Sequence, residues 1–90
     1  MTMSPLHGSH PAIAKRLKRA AGHLGAVIDM IEAGRSCLDL TQQLHAVEAA
    51  VSAAKKALIH DHIDHCLQHA VETDGGGASI DEFKEITKYL

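Results

Sequence analysis

Apolar side chains recur at every third or fourth position between residues 13 and 31, which is the period of one face of an α-helix. These positions are Ile13, Leu17, Ala20, Leu24, Val27, Ile28 and Ile31. Pro11 suits the first turn of such a helix, and Gly34 suits the position just after its end. We therefore predict helix 1 from about Pro11 to Ala33.

A second and longer apolar stripe follows. Ser36 is a suitable N-cap with Asp39 in the first turn, so Cys37 becomes the first residue of helix 2. Neither glycine nor proline occurs again before Gly75, and helix 2 is predicted to run unbroken to about His69. Its aliphatic positions are Leu40, Leu44, Val47, Val51, Ala54 and Leu58. The same stripe continues in residue types that can act as metal ligands, namely His62, His65, Cys66 and His69.

The C-terminal part of the chain predicts a short third helix. Three consecutive glycines mark a loop from Glu72 to Ala78. Ser79 and Glu82 match a capping box that would begin helix 3. The residues predicted to face inward are Ile80, Phe83, Ile86 and Leu90. We expect an all-α protein with a three-helix protomer, in which a flexible arm of residues 1–10 precedes one helical domain of residues 11–90.

The amino-acid composition agrees with an all-helical fold and favours a metal-binding function. The chain has 90 residues, only one tyrosine and one phenylalanine, two cysteines and eight histidines. The excess of histidine favours metal binding. We find no apolar run long enough to span a membrane and no apolar segment of a secretory signal at the start, so we expect a cytoplasmic protein without a membrane partner. In that compartment, cysteines are more often metal ligands or reactive thiols than structural disulfides.

The spacing of the metal-binding residue types predicts a dimer. Cys37 lies 25 residues before His62 on one straight helix, or roughly 37 Å away at ~1.5 Å per residue. The two cannot bind one ion within a chain. If two copies of helix 2 pair antiparallel so that facing residue numbers add up to about 103, Cys37 of one protomer lies beside His62 and Cys66 of its partner. The charged residues Glu48 and Lys55 then also face each other, with opposite charges.

The chemistry of this set favours soft metals. His62 and Cys66 are four residues apart on one helix face, and a cysteine from another helix completes a set of two sulfurs and one nitrogen. Such a set suits Cu(I) or Zn(II), and additional imidazoles also allow Ni(II) or Co(II). The competing interpretation is a buried cysteine acting as a small apolar residue. We favour ligation because three suitable residues share one stripe.

The segment "LTQQLHAVEAA" after Cys37 and the segment "HDHIDHC" ending in Cys66 resemble the CsoR/RcnR/FrmR family of bacterial repressors that sense metals or formaldehyde. The Cys-x24-His-x3-Cys spacing carries the resemblance, which extends over helices 1 and 2. It implies an antiparallel four-helix-bundle dimer, a homotetramer made of two dimers, and operator DNA that is released when the effector binds. It also implies a Cu(I) site formed by Cys37, His62 and Cys66 across the dimer.

Differences within the family bear on the effector. Cysteine at position 66 resembles the copper sensors and one type of nickel sensor. Nickel and cobalt sensors add an N-terminal histidine where this chain has Pro5, and His7 or His10 could replace it. Members called NreA are also similar around "HDHIDHC". We favour Cu(I) and keep a Ni(II) or Co(II) sensor as the alternative, with His7, His10, His65 and His69 as auxiliary ligands.

Two further assignments rest on the resemblance. Glu82 corresponds to a residue proposed to support the ligands in copper sensors, although a capping box also explains it. The basic residues predicted to contact DNA phosphates are Lys15, Arg16, Lys18, Arg19 and Lys56. Repressors of the family commonly carry an arginine where this chain has Ala53, which leaves open a metal-binding accessory protein without DNA binding. No oxyanion donors or acidic orienting group accompany the cysteines and histidines, so we do not expect an enzyme.

Overall fold

The computed structural model describes residues 8–72 and 77–90, with the side chains of residues 8–65 and 80–90. Three α-helices lie within these ranges: α1 at His10–Glu32, α2 at Cys37–Glu72 and α3 at Gly77–Thr87. The all-α fold class is therefore confirmed. The predicted bounds of helices 1 and 2 hold to within a few residues. His10, which the prediction placed in the arm, is the first residue of α1.

The turn between α1 and α2 has the local chemistry that its sequence predicts. Gly34 has a φ of 81°, in the left-handed region that glycine adopts without a steric penalty. The Arg35 N–H donates to the Met30 carbonyl at 3.1 Å, and the Gly34 N–H donates to the Ile31 carbonyl at 3.1 Å. These two bonds form a Schellman motif, which satisfies the last carbonyls of α1. The chain can then reverse direction within a few residues.

The start of α2 is capped by a side chain, as predicted. The Asp39 N–H donates to Ser36 Oγ at 3.2 Å. Asp39 also pairs with the Arg35 guanidinium one turn earlier. The Thr41 hydroxyl donates to the Cys37 carbonyl at 2.7 Å. The first turn of α2, and with it the backbone of Cys37, is thus held by several local hydrogen bonds.

Antiparallel packing of α1 against α2 forms a small core. Its buried members are Ile13, Ala20 and Val27 of α1, seven residues apart, and Val47, Ala54 and Ile59 of α2. Near the middle of the hairpin, His23 Nε2 lies 2.7 Å from Gln43 Oε1. At the open end of the hairpin, where α1 begins, His10 approaches Asp61. Only part of each predicted stripe is buried within the chain.

The remaining apolar positions form an uncovered face. The exposed large residues of the two long helices include Leu17, Leu24, Ile28, Ile31, Leu44, Val51 and Leu58. The Cα radius of gyration is 17.7 Å, whereas a compact domain of this length has about 12 Å. The smallest dimension of the chain is 13 Å, which leaves room for little more than one layer of helices. Stable domains usually bury their apolar faces between two layers.

The third helix differs from the prediction. α3 begins at Gly77, so Ser79 lies inside the helix and the predicted capping box is wrong. Phe83 is half-buried, but Ile80 and Leu90, which we predicted to face inward, are exposed. α3 packs against α2. This packing brings Glu82 beside the C-terminal half of α2.

Candidate metal centre

His62 occupies a sheltered position on α2. Its side chain is 17% exposed, and its Nε2 atom lies 3.8 Å from Glu82 Oε2 of α3. The ring lines a groove of about 600 Å³ whose walls include Leu58, Ile86 and Tyr89. Glu82 is thus a neighbour of the predicted ligand. This contact replaces the capping-box explanation of Glu82.

The two cysteines lie far apart on the same helix. Cys37 is the first residue of α2, and its thiol is free and exposed. Cys66 lies in the helical backbone one turn after His62, but its side chain is outside the described residues. Because α2 is continuous from Cys37 to Glu72, Cys37 stays at the opposite end from His62. The structure does not bring these residues together within one chain.

No three His, Cys, Asp or Glu side chains in the described part of the chain converge closely enough to hold a metal ion. The donors still have the chemistry of a soft-metal site, because a free thiol and a sheltered imidazole lie on one helix and Cys66 follows them. At 100° per residue, Cys37, Leu44, Val51 and His62 fall within about 60° of one another around α2. Leu44, Val51 and Cys37 are exposed there. The predicted ligands thus border the uncovered apolar face.

The auxiliary histidines have different surroundings. His10 Nε2 is 3.9 Å from Asp61 Oδ2, and His65 Nε2 is 3.5 Å from Asp61 Oδ1. His7 lies outside the described residues, and so does the side chain of His69. Sequence reasoning missed Asp61, because an acidic residue between two histidines of "HDHIDHC" carries no signal until α1 is placed beside it.

A basic groove lies between α1 and α2. Arg16, Arg19 and His23 line it from α1, and Ala50 and Ala53 line it from α2, around a volume of about 480 Å³. Lys15, Lys18 and Lys56 are exposed outside this groove. Ala53, where the resemblance led us to expect an arginine, thus lines the same groove as two arginines of α1. His23 of this groove is part-buried and pairs with Gln43.

None of the helices described is long and apolar enough to cross a membrane.

A helical hairpin with metal-binding residue types beside an uncovered apolar face, and with a basic groove elsewhere, corresponds to a metal-responsive regulator of transcription. The chain belongs to the family of metal-sensitive transcriptional repressors, whose pattern matches residues 9–89. Membership implies DNA binding. It also confirms the interpretation that the protein is not an enzyme.

Several relatives are named as copper-sensing transcriptional repressors. The copper-sensing transcriptional repressor CsoR of Mycobacterium ulcerans is 37% identical over 78 residues, which cover 87% of this chain and 67% of that protein. CsoR of Bacillus subtilis is 36% identical over 80 residues, covering 84% of this chain and 79% of that protein. The copper-sensing transcriptional repressor RicR of Mycobacterium tuberculosis is 37% identical over 65 residues, which cover 72% of this chain and 68% of that protein. The chain spans about two thirds of the length of the mycobacterial CsoR proteins. No solved structure matches the chain significantly.

Proposed function

We propose that this protein is a Cu(I)-responsive repressor that binds operator DNA without metal and leaves it when Cu(I) binds between two protomers. The observation that carries the proposal is the position of Cys37 and His62 on the border of one uncovered apolar face of α2. The copper-sensing relatives at 32–37% identity support the choice of metal. The site, the assembly and the release from DNA are parts of one hypothesis.

An antiparallel dimer completes the ligand set. Two α2 helices paired with facing residue numbers that add up to 103 place Cys37 opposite Cys66 and near His62 of the partner. The exposed Leu44 then lies near the exposed Leu58 of the other copy, and the two Val51 residues meet near the axis. Covering these side chains supplies the second layer that a single chain lacks. Two such dimers would form the homotetramer.

The donor set decides between metals. Two thiolates and one imidazole favour Cu(I), which accepts soft ligands in low coordination numbers. Bound there, Cu(I) would link the helices of two protomers. Zn(II), Ni(II) or Co(II) would require further nitrogen or oxygen ligands. His10, which lines the same groove as His62, and His65, which pairs with Asp61, are candidates for that role. This is the basis for keeping a nickel or cobalt sensor as the second candidate.

Glu82 is proposed to orient His62. A ring nitrogen that is not bound to metal usually interacts with a carboxylate, which fixes the ring and its tautomer. Glu82 Oε2 at 3.8 Å is the acidic group that α3 brings to His62. Through this contact, a change at His62 would be transmitted to α3.

The basic groove is proposed to contact operator phosphates. Arg16 and Arg19 face Ala53 across it, so two guanidinium groups are available where relatives in the family commonly supply one from α2. Arginine binds phosphate oxygens through two parallel hydrogen bonds. This arrangement favours a DNA-binding repressor over an accessory protein that binds only metal.

Metal affinity tests the site. Anaerobic competition titrations should show that Cys37→Ala and His62→Ala each weaken Cu(I) binding by at least 100-fold, because each removes a ligand. His45→Ala is the matched control, since His45 is an exposed histidine on the same helix. Unchanged Cu(I) affinity in Cys37→Ala and His62→Ala would refute the proposed site.

DNA binding is tested separately. A gel shift with the DNA upstream of the protein's own gene should show retardation that Cu(I) reverses. Arg16→Gln with Arg19→Gln should reduce the slope of log affinity against log salt by about one to two, because each phosphate contact contributes about 0.9. Lys84→Gln removes a charge on α3, away from the groove, and should leave the slope unchanged. Absence of retardation at low salt would favour the accessory protein.

A further inference from the structure

The basic groove between α1 and α2 contains a third residue that can carry a positive charge. Arg16, Arg19 and His23 line it together. At 100° per residue, these three positions fall within about 60° of one another around α1. Arginine is always charged, whereas histidine gains and loses its charge between about pH 5 and pH 8. Among the described residues that line the groove, His23 is therefore the one whose charge can change near neutral pH.

The His23 ring is held against α2 by a hydrogen bond. Its Nε2 atom lies 2.7 Å from Gln43 Oε1, in a part-buried position. An amide oxygen only accepts hydrogen bonds, so Nε2 carries the donated proton. The second proton of an imidazolium then goes to Nδ1, and the bond to Gln43 remains. The ring can therefore become charged without losing its contact with α2.

The surroundings of the groove leave such a charge available to an anion. The α2 wall consists of Ala50 and Ala53, and none of the described residues that line the groove is acidic or belongs to α3. Asp39 of α2 pairs with Arg35 instead, and Glu48 is exposed outside the groove. A phosphate bound between the arginines would favour the charged ring, because a nearby opposite charge stabilises it.

We propose that His23 is a third phosphate-binding residue of the basic groove, and that its protonation strengthens DNA binding as the pH falls. This inference rests on the proposed binding of operator DNA by Arg16 and Arg19. The imidazolium donates to a phosphate oxygen through Nδ1–H, while Nε2–H stays with Gln43. Operator binding then takes up a proton at His23, so operator occupancy depends on pH as well as on metal.

The salt dependence of DNA affinity at two pH values tests the proposal. The metal-free full chain is titrated with the DNA upstream of its own gene at about pH 5.5 and about pH 8, on either side of the range in which histidine changes charge. At the lower pH, the slope of log affinity against log salt should be steeper in the wild type than in His23→Gln by up to about 0.9, the contribution of one phosphate contact. At about 0.1 M salt this corresponds to an affinity about five- to tenfold higher. At the higher pH the two chains should bind alike.

The control variants separate His23 from the other histidines. His23→Gln keeps a polar side chain opposite Gln43 but cannot become charged. His45→Gln removes an exposed histidine of α2 that does not line the groove, and it should keep the wild-type dependence on pH. Circular dichroism at both pH values checks that the helices are intact. A measurement on the wild type alone is nitrogen NMR of the His23 ring, which should show both ring nitrogens protonated in the DNA complex at the lower pH.

The outcomes distinguish this inference from the proposed function. If the slope changes equally with pH in the wild type and in His23→Gln while both bind DNA, the role of His23 is overturned and DNA binding stands. A neutral His23 ring in the wild-type complex at the lower pH would overturn it as well. Absence of retardation of the wild type at low salt and both pH values would refute DNA binding itself, and this inference with it.

Discussion

Replacing Val51 should weaken the proposed dimer in proportion to the surface that the replacement removes. Val51 is 44% exposed in the single chain and would lie near the axis between two copies of α2. Val→Ala removes about two methylene-sized groups, worth about 0.8 kcal/mol each when fully buried. Because 44% of the surface of Val51 is exposed in the single chain and would be covered in the dimer, each copy loses about 0.7 kcal/mol of this contribution. The two copies together lose about 1.4 kcal/mol, or about tenfold in the dimer Kd.

A charge at the same position should have a larger effect. Val51→Glu would place two carboxylates close together in an apolar interface, where burying each costs several kcal/mol. We expect Val51→Ala to dimerise about tenfold more weakly and Val51→Glu to be monomeric at micromolar concentration, as measured by sedimentation velocity over a dilution series. Ala49→Glu is the matched control, because Ala49 is exposed and lies about 160° around the helix from Val51. A Val51→Glu chain that dimerises as tightly as the wild type would refute the proposed interface.

Three further substitutions test individual contacts. Ser36→Ala removes the N-cap of α2 and should cost about 1 kcal/mol in the free energy of unfolding, measured by urea denaturation, whereas Ser52→Ala should change it little. Gly34→Ala should lower the free energy of unfolding by about 1–2 kcal/mol, because Gly34 has a φ of 81°. Gly22→Ala should raise the free energy of unfolding, because Gly22 lies inside α1 with open space around it. Equal effects of the two substitutions would contradict this reasoning. Glu82→Gln should lower Cu(I) affinity about tenfold, and Glu85→Gln, which loses only an exposed pair with Lys88, should not.

Local signals in the sequence were sufficient to predict the two long helices. Pro11, Gly34 and Ser36 act within one turn of their own positions, so the chain around them determines their conformations. The third helix was harder, because a glycine-rich segment precedes it and Ser79 offered a plausible cap. Its actual start at Gly77 changed the interpretation of Glu82 from a capping residue to a neighbour of His62.

Tertiary packing determined what the sequence could not. A stripe of apolar residues predicts which side of a helix is buried, but not whether its own chain or another copy covers each residue. Val47 is buried by its own chain, whereas Leu44 and Val51 of the same stripe are exposed. Similarly, the contact between His10 and Asp61 depends on how far α1 extends along α2. The metal-ligand assignments stay predictions, because the hypothesis takes the three ligands from two protomers and the structure describes one chain.

The most direct test of the shared site is complementation between two inactive variants. Neither Cys37→Ala nor His62→Ala alone has a complete ligand set in its homodimer. After the two are mixed and exchanged, each mixed dimer contains Cys37 of one chain with His62 and Cys66 of the other. We predict recovery of tight Cu(I) binding to about a quarter of the wild-type capacity, because random exchange makes half the dimers mixed, each with one of its two sites intact. No recovery, despite verified exchange of protomers, would contradict a metal site shared between two chains.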